Sequence, residues 1–139
     1  SLAGKSTHLN QSRMHVYLTM FPAGSSTKNI RHWVNSIKAK AFTKYDYGSN
    51  RENFRHYGSN SPPVYDLSNI SVPIALLSGG NDMMADPEDV MRLKNSLRPE
   101  VVFKFMEVPT YAHLDFIWAQ DANKLLYPEV LDALQRYSP

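Results

Sequence analysis

Residues 72–90 read VPIALLSGGNDMMADPEDV. The stretch opens as a continuous apolar run bounded by Pro73 and Gly79-Gly80, the pattern of a strand buried on both faces. It then enters a loop carrying Asp82, Asp86, Glu88 and Asp89. Asp86 followed by Pro87 is an N-cap with a proline in the first turn, and the acids behind it suit the positive end of a helix dipole. Val90, Met91, Leu93 and Leu97 then recur at helical spacing. Beyond them, VVFKFMEVP at 101–109 reads as a second strand, and DANKLLYPEVLDALQRY at 121–137 as a closing helix whose second half Pro128 starts or kinks. Strand, helix, strand, helix predicts a right-handed parallel βαβ unit with one more helix behind it.

Two parallel strands patterned for burial need further strands beside them and helices on both faces. The first 65 residues do not supply them. Leu9, Met14, Tyr17 and Leu18 form a broad apolar helical face over 5–21. After Pro22-Ala23-Gly24, a helix over 26–42 restarts with Ser26 as cap and Ile30, Trp33, Val34 and Ile37 inward. Residues 45–69, YDYGSNRENFRHYGSNSPPVYDLSN, repeat Tyr-Gly-Ser-Asn and end near Pro62-Pro63, which we read as an ordered surface loop with one short strand at most. The chain also opens on Ser rather than Met. The expectation is therefore the C-terminal part of a larger α/β protein, against the alternative of a small α+β domain completed by dimerisation.

Composition narrows the function classes. Apolar residues make up 42% and charged residues 20% of the 139, enough for a packed core. Fifteen basic against 13 acidic residues leave a net charge of +2, too even for nucleic acid or an anionic membrane to be the main partner. There is no cysteine, so disulfide and thiolate chemistry are excluded. No run approaches the ~18 apolar residues of a membrane helix.

In open parallel sheets, functional groups gather beyond the carboxyl ends of the strands. Asp82 follows the first strand and His113 the second, 31 positions later. Adjacent parallel strands would bring both loops to one edge of the sheet. Asp then His is the order of the last two members of an α/β-hydrolase triad. A carboxylate accepting the Nδ1 proton fixes the imidazole tautomer and leaves Nε2 to deprotonate a serine. Each residue also has a plainer reading: Asp82 as a turn residue, His113 as a histidine bonded to backbone. Asp86 reads as a helix cap and Asp115 as a local cap or ion-pair partner. A metal site from Asp82, Asp86, His113 and Asp115 lacks tight ligand spacing. His8, His15, His32 and His56 have no matching carboxylate pattern and are assigned surface roles.

The segments Gly79-Gly80-Asn81-Asp82 and His113-Leu114-Asp115-Phe116-Ile117-Trp118, with YLTMFPAGSSTKNIRHW earlier, resemble the C-terminal third of the acid lipase family, the gastric and lysosomal acid lipases and their relatives. The resemblance runs over essentially the whole chain. It implies an α/β fold of the α/β-hydrolase type with an incomplete sheet: residues 1–65 part of a helical cap or lid, residues 66–139 the C-terminal part of the core. Carried over by position, Asp82 matches the triad acid and His113 the triad base. It further implies a lipase, a serine ester hydrolase of lipid metabolism acting on neutral lipids such as triacylglycerols or steryl esters. Such a protein would meet the lipid–water interface, need no metal or organic cofactor, and be secreted or lysosomal. The sequons Asn10-Gln11-Ser12 and Asn69-Ile70-Ser71 are compatible with a glycoprotein.

One departure is large. The family's nucleophile lies in a G-x-S-x-G elbow, and no such pentapeptide occurs in this chain. Losing the serine of a triad costs about 10⁶-fold in rate in a serine protease, so the chain alone is expected to be inactive. The missing N-terminal part of the same protein would supply the serine. The competing readings are a non-catalytic lipid- or partner-binding module and a hydrolase of the same fold with other ester or amide substrates.

Overall fold

The computed structural model describes residues 3–137, which form two units: residues 20–66, and residues 3–19 together with 67–137.

The larger unit is built on the predicted strand–helix–strand. β1 (Ile74–Gly79) pairs in parallel with β2 (Val102–Val108), Ala75 opposite Lys104 and Gly79 opposite Val108, after an irregularity between Ile74 and Ala75. The helix between them, α4 (Pro87–Ser96), begins as read: Asp86 Oδ1 accepts the Glu88 N–H at 2.9 Å, with Glu88 and Asp89 in the first turn. This is a two-stranded parallel sheet with flanking helices, the α/β class expected of part of an α/β-hydrolase core. Its strands are not buried on both faces, however. Residues 74–77 are only half-buried, because two strands and their helices do not cover both sides of a parallel sheet. The core is correspondingly small: Val108, Tyr111 and Leu126, with Leu77, Met106, Phe116 and Val130 against them.

The single closing helix expected over 121–137 is divided. A short helix, α5, spans Asp115–Trp118; α6 spans Ala122–Leu125 and α7 Tyr127–Gln135. Pro128 lies in the first turn of α7, where its missing N–H is harmless, so it starts that helix rather than kinking a longer one. Lys104 ties β2 to α7 through Glu129 at 2.6 Å and Asp132 at 3.0 Å, and these two partners hold its ammonium above the usual lysine pKa.

The helix expected over 5–21 is shorter in the structure. α1 spans Met14–Met20, behind a 3-10 turn at Gln11–Arg13. Asn10 starts that turn, its Oδ1 accepting from the Ser12 N–H at 3.0 Å. Residues 3–9 run instead as a non-helical strap: Gly4 has φ +89°, and Leu9 forms an antiparallel bridge with Ala119. Bonds to residues distant in sequence thus override the local helical pattern. Tyr17 of α1 stacks on Trp118, ring centroids 4.9 Å apart.

In the smaller unit, α2 (Thr27–Ala39) starts at Ser26 as read, and ends in Lys40 at φ 49° rather than at residue 42. The stretch read as loop contains a third helix, α3 (Asn50–Tyr57). Ser49 Oγ accepts the Glu52 N–H at 3.2 Å, and Gly58 closes the helix at φ 69°. Ser49-x-x-Glu52 is a capping-box spacing and Gly58 a C-terminal stop. The repeated Tyr-Gly-Ser-Asn therefore brackets this helix. Asn53 on its buried face accepts the Tyr47 N–H and donates to Asp46, and Tyr47 stacks on His56 at 3.6 Å.

Candidate active site

Where β1 and β2 end, their loops lock together by backbone. The Gly80 N–H donates to the Val108 carbonyl at 3.0 Å and the Asn81 N–H to the Tyr111 carbonyl at 2.9 Å. Asn81 Nδ2 donates to the Thr110 carbonyl at 3.2 Å. The two glycines permit this approach. A Cβ on Gly80 would lie 2.5 Å from the Pro109 carbonyl oxygen and 2.9 Å from its Cα, and one on Gly79 would collide with the Tyr111 carbonyl. Both obstacles are backbone and cannot turn aside. Gly80→Ala in the full-length protein is therefore expected to cost about 1–3 kcal/mol of stability, read by thermal unfolding. An unchanged Tm would show that the loops do not meet as described.

That contact brings Asp82 and His113 together. His113 Nδ1 lies 3.0 Å from Asp82 Oδ2. The Asp82 side chain is 3% exposed, and its other oxygen, Oδ1, accepts the N–H groups of Met84 and Ala85, each at 2.8 Å. Desolvation pushes the Asp82 carboxyl up, but the Ala85 N–H, His113 and the Met84 N–H together outweigh it and hold its pKa below the usual 3.8. The carboxylate is thus fixed in place and ionised. The His113 side chain is 41% exposed, and Nε2 has no hydrogen-bond partner among the described residues. Geometrically this is an imidazole oriented by a buried carboxylate, with its second nitrogen available to a reacting group.

The other acids turn elsewhere. Asp86 caps α4. Asp115 is fully buried; its Oδ2 accepts the Ala112 N–H at 2.7 Å and its Oδ1 the Ser6 hydroxyl at 2.5 Å. It braces the turn before His113 rather than converging with Asp82 on a metal.

One paired group is not foreshadowed by the sequence. His8, assigned a surface role, places Nδ1 2.8 Å from Asp121 Oδ2 and Nε2 3.0 Å from Thr110 Oγ1, with its side chain 17% exposed. Asp121 Oδ1 accepts the Tyr111 hydroxyl at 2.9 Å. No local spacing could reveal this pair, whose members stand 113 positions apart. Of the others, His32 Nε2 meets the Thr43 carbonyl at 2.9 Å, and His56 carries the stacked Tyr47.

No protein-family profile matches the chain. Individual proteins do. The chain is 42% identical over 129 residues to gastric triacylglycerol lipase of Homo sapiens, covering 93% of this chain and 32% of that protein. It is 38% identical over 130 residues to human lysosomal acid lipase/cholesteryl ester hydrolase and 37% identical over 131 residues to human lipase member N, each match covering 94% of this chain and 32% of the relative. The chain thus spans about a third of the length of the curated relatives it matches.

Proposed function

The chain belongs to the acid lipase family, and on that premise we propose that Asp82 and His113 are the acid and the base of a Ser-His-Asp triad in a lipase. The observation that carries this reading is the 3.0 Å contact between His113 Nδ1 and a buried carboxylate, made across the carboxyl ends of two parallel strands. The serine lies in a part of the protein outside these 139 residues. It attacks the ester carbonyl while His113 Nε2 takes its proton. Asp82 holds the imidazole and stabilises the imidazolium, which then protonates the leaving alcohol. Water, deprotonated by the same nitrogen, releases the fatty acid and restores the serine.

The relatives' names point to triacylglycerols and cholesteryl esters as substrates, and we extend that class, neutral lipid esters, to this protein. A secreted or lysosomal location accords with the same relatives. Residues 1–65 would contribute to the helical cap that the family resemblance implies.

The test is fatty-acid release from an emulsified long-chain triacylglycerol by the full-length protein and by residues 1–139 alone. Hydrolysis by the first and background rates from the second support the proposal. Equal rates from both would refute the placing of the nucleophile. Lipid binding without hydrolysis by the full-length protein would favour the binding module.

A further inference from the structure

The strap at residues 3–9 contacts the loops after both strands and the ends of α5 along its length. The Ala3 carbonyl accepts the His113 N–H at 2.9 Å. Gly4 lies so close to the Asn81 carbonyl that any side chain would strike it, and its φ of +89° itself favours glycine. Ser6 bonds Asp115, and the His8 carbonyl accepts the Gln120 N–H at 3.0 Å. One segment therefore contacts both loops that meet at the dyad.

Within the strap, His8 is the side chain with the most specific engagement. Its Nε2 meets Thr110, three residues before His113. Its Nδ1 meets Asp121, whose other oxygen holds the hydroxyl of Tyr111. The His8 ring also packs edge-on against the Tyr111 ring, centroids 4.9 Å apart. Tyr111 is wholly buried, and its carbonyl anchors Asn81 beside Asp82. Both ring nitrogens of His8 thus fix the short run Thr110–Tyr111 that aims His113 at Asp82.

We propose that His8, through Asp121 and Thr110, is a positioning residue for the catalytic dyad: a clamp on the His113 loop built from a histidine outside the triad. This rests on the triad reading above. Catalysis is sensitive to such placement, since a shift of about 1 Å can cost 10²-fold. A clamp that limits loop motion without touching substrate should act on kcat rather than KM.

The experiment uses the full-length protein carrying His8→Ala, Thr110→Val, Thr110→Ser and the His8→Ala/Thr110→Val pair. Ester hydrolysis and amide hydrogen exchange of the peptide covering residues 109–115 are measured on each. The clamp predicts a fall in kcat of about tenfold for His8→Ala and Thr110→Val, with KM within about twofold. Thr110→Ser, which keeps the hydroxyl, should stay near the parent, and the double variant should fall no further than the worse single one. Exchange in 109–115 should quicken with His8→Ala and Thr110→Val and not with Thr110→Ser. Unchanged exchange and kcat in His8→Ala, or Thr110→Ser as impaired as Thr110→Val, would overturn the clamp. Exchange reads the loop whether or not the protein turns over. An inactive parent whose loop loosens as predicted would therefore refute the triad reading while upholding the clamp's hold on the loop. An active parent with an unchanged loop would refute the clamp alone.

Discussion

Replacing His113 by glutamine in the full-length protein is expected to lower kcat for a long-chain ester by about 10⁶-fold, with KM little changed. Glutamine fills much of the imidazole's volume, and its amide can still bond the Asp82 carboxylate, which lies 3% exposed beneath it. It cannot, however, take a proton from a serine or return one to a leaving alcohol. The loss is therefore specific to proton transfer rather than to packing, and thermal unfolding should barely move. A rate within a few-fold of the parent would remove His113 from the mechanism.

Asp82→Asn is expected to cost about 10⁴-fold in kcat, as the equivalent change does in a serine protease. The local bonds explain why. The N–H groups of Met84 and Ala85 both point at Oδ1, so an asparagine would keep its carbonyl oxygen there. Its NH₂ would then face His113 Nδ1, forcing that nitrogen to accept and moving the ring proton to Nε2. That is the wrong tautomer for a base, and the imidazolium would also lose its counter-charge. The native carboxylate has a further consequence for acid tolerance. Its pKa is lowered in the folded protein, so ionised Asp82 favours folding. That contribution is complete above the unfolded value, near 3.8, and is lost as pH falls through the lower folded value. In Asp82→Asn it is absent throughout. The stability gap between parent and variant should therefore be full above about pH 4 and close only as the pH drops below the usual carboxylate range, as read by unfolding across pH.

Much of the half that carries Asp82 and His113 was legible because its signals are local. Asp86-Pro87 names a helix start without reference to anything distant, and the run 74–79 between proline and glycines reads as a strand in any context. That Asp82 and His113 meet followed from those elements, since parallel strands place their outgoing loops side by side. Burial of the strands on both faces did not follow, because covering a sheet face depends on elements beyond this pair. The helix α3 was readable in Ser49-x-x-Glu52 and Gly58 but was hidden by the density of Tyr, Asn and Gly around it. The strap is a different case. Leu9 bridges to Ala119, and His8 reaches Asp121 across 113 positions; pattern and propensity carry no record of such contacts.

The central claim is that this chain supplies the acid and base of a triad whose serine lies elsewhere in the protein. Its most direct test is to label the full-length protein with a fluorophosphonate and map the modified residue by mass spectrometry. The account predicts one modified serine, in a G-x-S-x-G outside residues 1–139, with labelling lost in His113→Gln. A label on any hydroxyl within this chain, Thr110 included, or labelling that survives the loss of His113, would contradict it.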